Sequence, residues 1–391
     1  MWMPNLTRWP IIAVLILSSL GACGGAAPQD GSLPDAAAPG AAAPDDEVSD
    51  LASVPNAAAP VLNRPGAGSL TVLDWSGYEN PDYFAEFSAA HPDVELRHAV
   101  MEQDVDALTK MKSGLEADLV HPCSNYYRMW VDAGLVQPVD TGRLSHWSGI
   151  NPAMAELGRF DGKQYFVPWD WGFDSILVRT DKVDPVPTSW ADLWNPAYKG
   201  KLSMSDMPDY NHAAAALALG IADPWSTTPE QNAQIKAKMA ALQPNILAFW
   251  GDGTELAQQI SSGDVWVGGN AWPDAYTLLV QEGLPVAYAR PKEGRLSWVC
   301  GYGISAKAKD LDLAHAYIDA MIAPEAMAAF IDEFGFGAAN FDALPLADAD
   351  TVARLELDDP KVIDDSIFYA PLTEAQRDAM VAAWDEVKAD Q

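Results

Sequence analysis

Short apolar runs and amphipathic stretches alternate along most of this chain. Runs such as Leu70–Leu73 in "SLTVLDW" suit buried strands, and segments with apolar residues at i, i+3 and i+4 suit helices. The pattern predicts strands over 69–73, 94–100, 118–120, 173–178, 201–205, 265–269, 286–290 and 299–304. It predicts helices over 81–90, 104–113, 210–220, 229–242, 254–262, 310–322 and 374–388. Ser189 reads as the N-cap of "SWADLW", Thr254 as that of "ELAQQISS", and Pro324 as the first-turn proline of "PEAMAAFIDEF". Strands alternating with helices imply an α/β protein whose parallel sheets carry helices on both faces. No repeat of the length that builds solenoids is visible.

The pattern changes at the N-terminus. A lone Arg8 precedes the apolar stretch Ile11–Leu20, too short for a bilayer span but suited to a signal-peptide core. The stretch ends in "LGAC", which looks like the lipobox of bacterial lipoproteins. Residues 1–23 therefore read as a lipoprotein signal peptide ending at Cys23, the lipidated first residue of the mature chain. An ordinary cleaved signal with an incidental cysteine is the plainer reading, and the Leu-Gly-Ala-Cys order favours lipidation. The protein is expected to be exported and held on the periplasmic or cell-surface side by that lipid. Residues 24–67, rich in Ala, Pro, Gly and Asp and free of aromatics, lack the apolar surface to fold and read as a tether.

Composition narrows the partners. With a net charge of −31 over 391 residues, the chain lacks the clustered Lys and Arg that nucleic acid or an anionic membrane surface would need. Cationic partners would be favoured, although a solubility or salt-adaptation bias accounts for the charge equally well. Setting Cys23 aside leaves Cys123 and Cys300, an even pair in an oxidising compartment. A disulfide between them is one reading, and sequence alone does not place them together.

Nothing in the sequence points to catalysis. The six histidines show no metal-ligand spacing, and neither a nucleophile elbow nor a P-loop is present. No cofactor is expected. The chain does carry fifteen tryptophans, several at strand ends or in glycine-bounded loops: Trp75, Trp169 and Trp171 in "VPWDWG", Trp250, Trp272 and Trp298. Any one of them is most simply a core residue, and Trp190 and Trp194, at helical spacing, are read that way. The set is different, because ligands of parallel-sheet proteins bind beyond the carboxyl ends of the strands. Rings interleaved there with Asp74, Asp170, Asp174 and Asp274 suggest an aromatic box with carboxylates, suited to an organic cation.

The segments "LDWSGY", "ADLVHPCSNYYRMWVDAGLVQPVD", "VPWDWG", "TSWADLWNPAYKGKLSMSD", "GGNAWPDAY", "YARPKEGRLSW" and "FGFGAAN" resemble the periplasmic spermidine/putrescine-binding proteins of ABC transporters. The likeness runs over nearly all of 68–391. It implies a two-lobe periplasmic-binding-protein fold, type II-like, with crossover strands joining the lobes and a ligand cleft between them. The lobes are expected at about 68–172 plus 273–318 and about 173–272 plus 319–391. The resemblance also implies a monomer with ABC permease and ATPase partners, binding a polyamine or related organic amine as the lobes close.

Residue by residue, the resemblance puts Trp75, Ser76 and Tyr78 in the first ligand-contacting loop. Asn125 aligns with a stacking tyrosine and Tyr126 lies beside it. Trp272 and Asp274 match a tryptophan and aspartate that bracket the amine, and Trp298 an aromatic position. The chain departs from the pattern at Met207 and Tyr210, which take the places of an acidic pair while Asp206 and Asp209 stand out of register. Cys300 replaces another acid and Cys123 a ligand-lining Ser, so both cysteines map beside the cleft. Asp274 is then the one matched acid, with Asp170 and Asp174 as replacements. A singly charged or zwitterionic amine, quaternary ammonium or opine-like, competes with a polyamine on those grounds. A ferric-ion receptor using Tyr126 and Tyr127 competes as well, as does a sensing lipoprotein without a transport role.

Overall fold

A computed structural model describes residues 68–389, so the signal-peptide, lipobox and tether readings over 1–67 lie outside the described residues. The first part of the sheet is built by Glu95–Met101, Ser69–Trp75 and Leu119–Val120, side by side and parallel. Arg295–Ser305 runs antiparallel to Leu119–Val120, and Phe166–Arg179 runs antiparallel to Arg295–Ser305. The far half of Phe166–Arg179 then pairs with Val267–Ala271, which leads parallel to Leu202–Ser205 and Ile246–Trp250. The sheet is therefore mixed, not parallel throughout. The two antiparallel strands are the ones passing between the halves.

Phe166–Arg179 explains that difference. "FVPWDWGFDSILVR" is buried along all but its last residue, the signature of a strand covered on both faces. "VPWDWG" is thus strand, not glycine-bounded loop, and Trp169 and Trp171 are core residues whose indole N–H groups bond the Met321 and Ala338 carbonyls. Pro168, which cannot donate to a ladder, pairs with Gly301 where the register shifts at Cys300/Gly301. Several elements were not predicted, and three of them shape the site. Ser124–Asp132 is helical because Tyr127, Met129 and Trp130 bury against the sheet; Ile246–Trp250 and Pro273–Gln281 complete the second half.

The caps follow side-chain chemistry. Ser189 closes a capping box with Asp192, and Pro324 opens Pro324–Phe334 as expected. The helix Gly253–Ser261 is capped by Asp252, not Thr254, because the Asp252 carboxylate accepts the Glu255 N–H at 2.9 Å.

Packing does not follow the expected lobe bounds at 273 and 318. Pro273–Gln281 lays Ala275 and Leu279 against Leu256, Ile260 and Leu177, with the second half of the sheet. Beyond 318, Ile322, Phe330, Ile331 and Val352 bury with Leu70, Val72 and Trp169, in the first half. The chain returns to the second half from about Tyr369: Tyr369 and Leu372 bury with Tyr210 and Trp225, and in the terminal helix Glu374–Ala389 Trp384 packs on Ala215, Ala216 and Ile235.

Candidate ligand cleft

A cavity of about 360 Å³ opens where strands from both halves of the sheet end. Trp75 closes Ser69–Trp75, and Asp104 follows Met101 by a short turn. Asn125 follows Val120, Asp209 follows Ser205, and Trp272 follows Ala271 directly. Parallel strands deliver their loops to one edge of the sheet, which is why residues so far apart in sequence meet here.

Of the predicted aromatic residues, Trp75, Tyr78, Tyr126, Trp272 and Trp298 all line the cavity, and Ser76 does not, being exposed outside it. Trp75 is anchored by its indole N–H to the His121 carbonyl at 3.0 Å. Trp272 stands edge-on to Trp250 at 5.3 Å, and Trp298 edge-on to Phe336 at 5.2 Å. Tyr78 contributes less ring face than expected, because it packs among Trp169, Phe330 and Phe334. Tyr210, at a position where the resemblance has an acid, stacks on Tyr369 at 4.4 Å and adds another wall.

The acids differ most from expectation. Asp174 and Asp274 do not line the cavity. Asp174 is fully buried with Tyr369 donating to it at 2.7 Å, and burial pushes its pKa well up. Asp274 turns back on its own helix, accepting the Ala275 N–H at 2.7 Å, and its carboxylate lies over Gly253, a place with no room for a Cβ. Burial raises its pKa to about 6.

The lining carboxylates are instead Glu102, Asp104, Asp170, Asp206, Asp209 and Asp252. Asp104 and Asp209 are buried there. Asp104 accepts the Cys123 N–H at 2.9 Å, and burial lifts its pKa to about 7. Asp209 accepts from Asn125 Nδ2 at 2.7 Å and is likewise raised by burial. Asp206 is committed elsewhere, to Lys388 Nζ and the Trp384 indole, both at 2.8 Å. The sequence places Asp209 one position from an aligned acid, which is the signal that marks it; Asp104 and Arg377 carry no local motif.

Asp170 lines the cavity but is spent on a buried chain. His121 is fully buried between Asp74 (Nδ1–Oδ1, 2.7 Å) and Asp170 (Nε2–Oδ1, 3.1 Å). Tyr302 and Tyr78 donate to the outer oxygens of the two carboxylates, each at 2.7 Å. Burial alone would lower the His121 pKa, but the flanking carboxylates overcome it and raise the value to about 9. The imidazolium stays charged at neutral pH and balances one of its neighbours.

Cys123 and Cys300 are disulfide-bonded in the cavity wall, across an antiparallel bridge between their backbones. Tyr126 and Tyr127 do not act as a pair. Tyr127 is buried flat against Phe166 at 4.0 Å, and the Tyr126 hydroxyl accepts from Arg377 Nε at 3.1 Å. Among the described residues no group of three or more His, Cys, Asp or Glu is arranged to hold a metal ion.

Two covered half-sheets sharing antiparallel crossover strands, with a ring-and-carboxylate cavity at their strand ends, define a two-lobe solute-binding protein. The chain belongs to the family described as bacterial extracellular solute-binding protein, which matches residues 82–357. Membership implies export and a transport role, not an enzyme class. The chain is 27% identical over 304 residues to the spermidine/putrescine-binding periplasmic protein of Escherichia coli K12, covering 77% of this chain and 83% of that one. It is 25% identical over 351 residues to a putrescine/cadaverine-binding protein of Pseudomonas aeruginosa, covering 82% and 94%. Its fold matches a spermidine/putrescine ABC transporter substrate-binding protein of Streptococcus pneumoniae with a TM-score of 0.72 at 21% identity, covering 83% of this chain and 99% of that one.

Proposed function

We propose that this chain captures an organic amine, of the class that includes the polyamines, between its lobes and delivers it to the permease and ATPase of an ABC importer. It performs no chemistry on the solute. It works as a monomer held at the membrane by a lipid on Cys23, and the lobes close around the ligand. One observation carries this reading: Trp75, Trp272 and Trp298 line the same cavity as Asp104 and Asp209. Each ring face contributes roughly 0.5–1 kcal/mol to holding a cation when exposed and about 2 when desolvated. A buried ammonium also requires a carboxylate, since desolvation without a partner costs several kcal/mol. Relatives named for spermidine, putrescine and cadaverine support the same chemistry.

The test is a thermal-shift screen of putrescine, spermidine, choline, glycine betaine and basic amino acids against sugars and anions. Amines are expected to raise the melting temperature. A rise with sugars or anions alone would overturn the reading.

A further inference from the structure

Arg377 is unlike its neighbours in charge and in pairing. Arg97, Arg128, Arg143, Arg159, Arg179, Arg290 and Arg295 form ion pairs with carboxylates, while Arg354, away from the cavity, bonds Thr351. Arg377 lines an acid-rich cavity in a strongly acidic chain, yet forms no ion pair among the described residues. It is held in place all the same. Nε donates to the Tyr126 hydroxyl at 3.1 Å, and the guanidinium carbon stands 5.2 Å from the Tyr126 ring centre. Those contacts fix the plane of the group and leave Nη1 and Nη2 without a partner among the described residues. Asp209 and Asp104 are near enough for their charges to act on it but do not bond it; Asn125 and the Cys123 N–H bond them instead.

A guanidinium fork with its Nε tethered matches the two oxygens of a planar carboxylate, and it repels a second ammonium. Resting on the amine reading above, we infer that the ligand is bipolar: an organic amine that also carries a carboxylate, its acid end taken by the Arg377 fork and its ammonium by Asp104 or Asp209 among the tryptophan rings. A bipolar ligand offers a partner to each charge in a cavity where a cation and carboxylates stand side by side. A diamine would satisfy the acids but set its second charge against Arg377. Arg377 then decides between ligands of equal length.

The experiment is isothermal titration of the full mature chain with matched pairs, putrescine against γ-aminobutyrate and cadaverine against δ-aminovalerate, together with lysine. Wild type is expected to bind the amino acids at least about tenfold more tightly than the diamines. R377Q should lose that preference, weakening the amino acids about tenfold or more while leaving or improving the diamines. R377K, which keeps the charge but not the fork, should fall between. The ligand-free melting temperatures of both variants check folding. Tighter binding of the diamines by wild type, or an equal loss of both series in R377Q, overturns the inference while the amine reading stands. Binding of neither series overturns this inference, and with no response to spermidine, choline or glycine betaine in the thermal-shift screen it overturns the amine reading as well.

Discussion

Asn125 and Asp209 join the two halves of the molecule directly, Nδ2 to Oδ2 at 2.7 Å. Asn125 lies in the first turn of Ser124–Asp132, just past a strand of the first half. Asp209 lies in the first turn of Pro208–Ala218, just past a strand of the second. The bond satisfies a buried carboxylate with a neutral donor and leaves its charge for something else to balance.

Asp209 is therefore expected to be a charge partner of the ligand, and Asp274 is not. Asp209→Asn should weaken amine binding by about tenfold or more, the scale of a charge-assisted hydrogen bond. Asp274→Asn, whose carboxylate faces its own helix and Gly253, should leave affinity within about twofold by the same scale. Titration calorimetry on the two variants decides it; the opposite ranking would restore Asp274 as the partner.

The disulfide between Cys123 and Cys300 closes a loop spanning a sequence separation of 177. Cross-links over long loops restrict the unfolded chain, and typical contributions are about 2–4 kcal/mol. The Cys123→Ser, Cys300→Ser double variant is expected to melt at a lower temperature than wild type. Reducing the wild type should lower its melting temperature to the same degree. Mass spectrometry of the non-reduced protein checks the bond itself, since two free thiols would remove the basis for the effect.

How much of this was legible follows from where each signal resides. Trp75 ends one short apolar strand and Trp272 directly follows another, and strand ends can be read from local pattern, whereas Trp298 lies inside Arg295–Ser305. Trp171 could not be told apart from them, because only the pairing of Phe166–Arg179 with Arg295–Ser305 shows that "VPWDWG" is interior strand. Asp274 matched by position but failed by direction, since a side chain on the first turn of a helix can face the ligand or its own backbone. Asp104 and Arg377 reach the cleft from separate helices, Asp104–Lys112 and Glu374–Ala389, and nothing local in either marks them. The chain's last helix returning to the second half is a property of tertiary packing alone.

The Asp74–His121–Asp170 chain should make stability pH-dependent. The folded pKa of His121, about 9, lies above the ordinary histidine value of about 6.5. Its contribution is thus fully present below about pH 6.5 and is lost as pH rises through about 9. His121→Gln is expected to destabilise the protein at pH 6 and to flatten the decline toward pH 9. Chemical denaturation at the two pH values measures both. An unchanged slope in the variant would mean that His121 does not carry the charge.

Ligand capture should also release protons. Asp104 holds a pKa near 7 in the ligand-free cleft because burial disfavours its charge, and Asp209 is raised for the same reason. A bound ammonium supplies the missing counter-charge and favours the carboxylate form, so it drives those protons off. The sign is fixed by that preference: affinity should rise with pH as Asp104 ionises and level off above about 7. Calorimetry at pH 6.5 in buffers of different ionisation enthalpy is expected to show net proton release, reduced in Asp104→Asn. Proton uptake on binding, or an affinity that falls as pH rises through this range, would place the ligand's positive end away from Asp104 and Asp209.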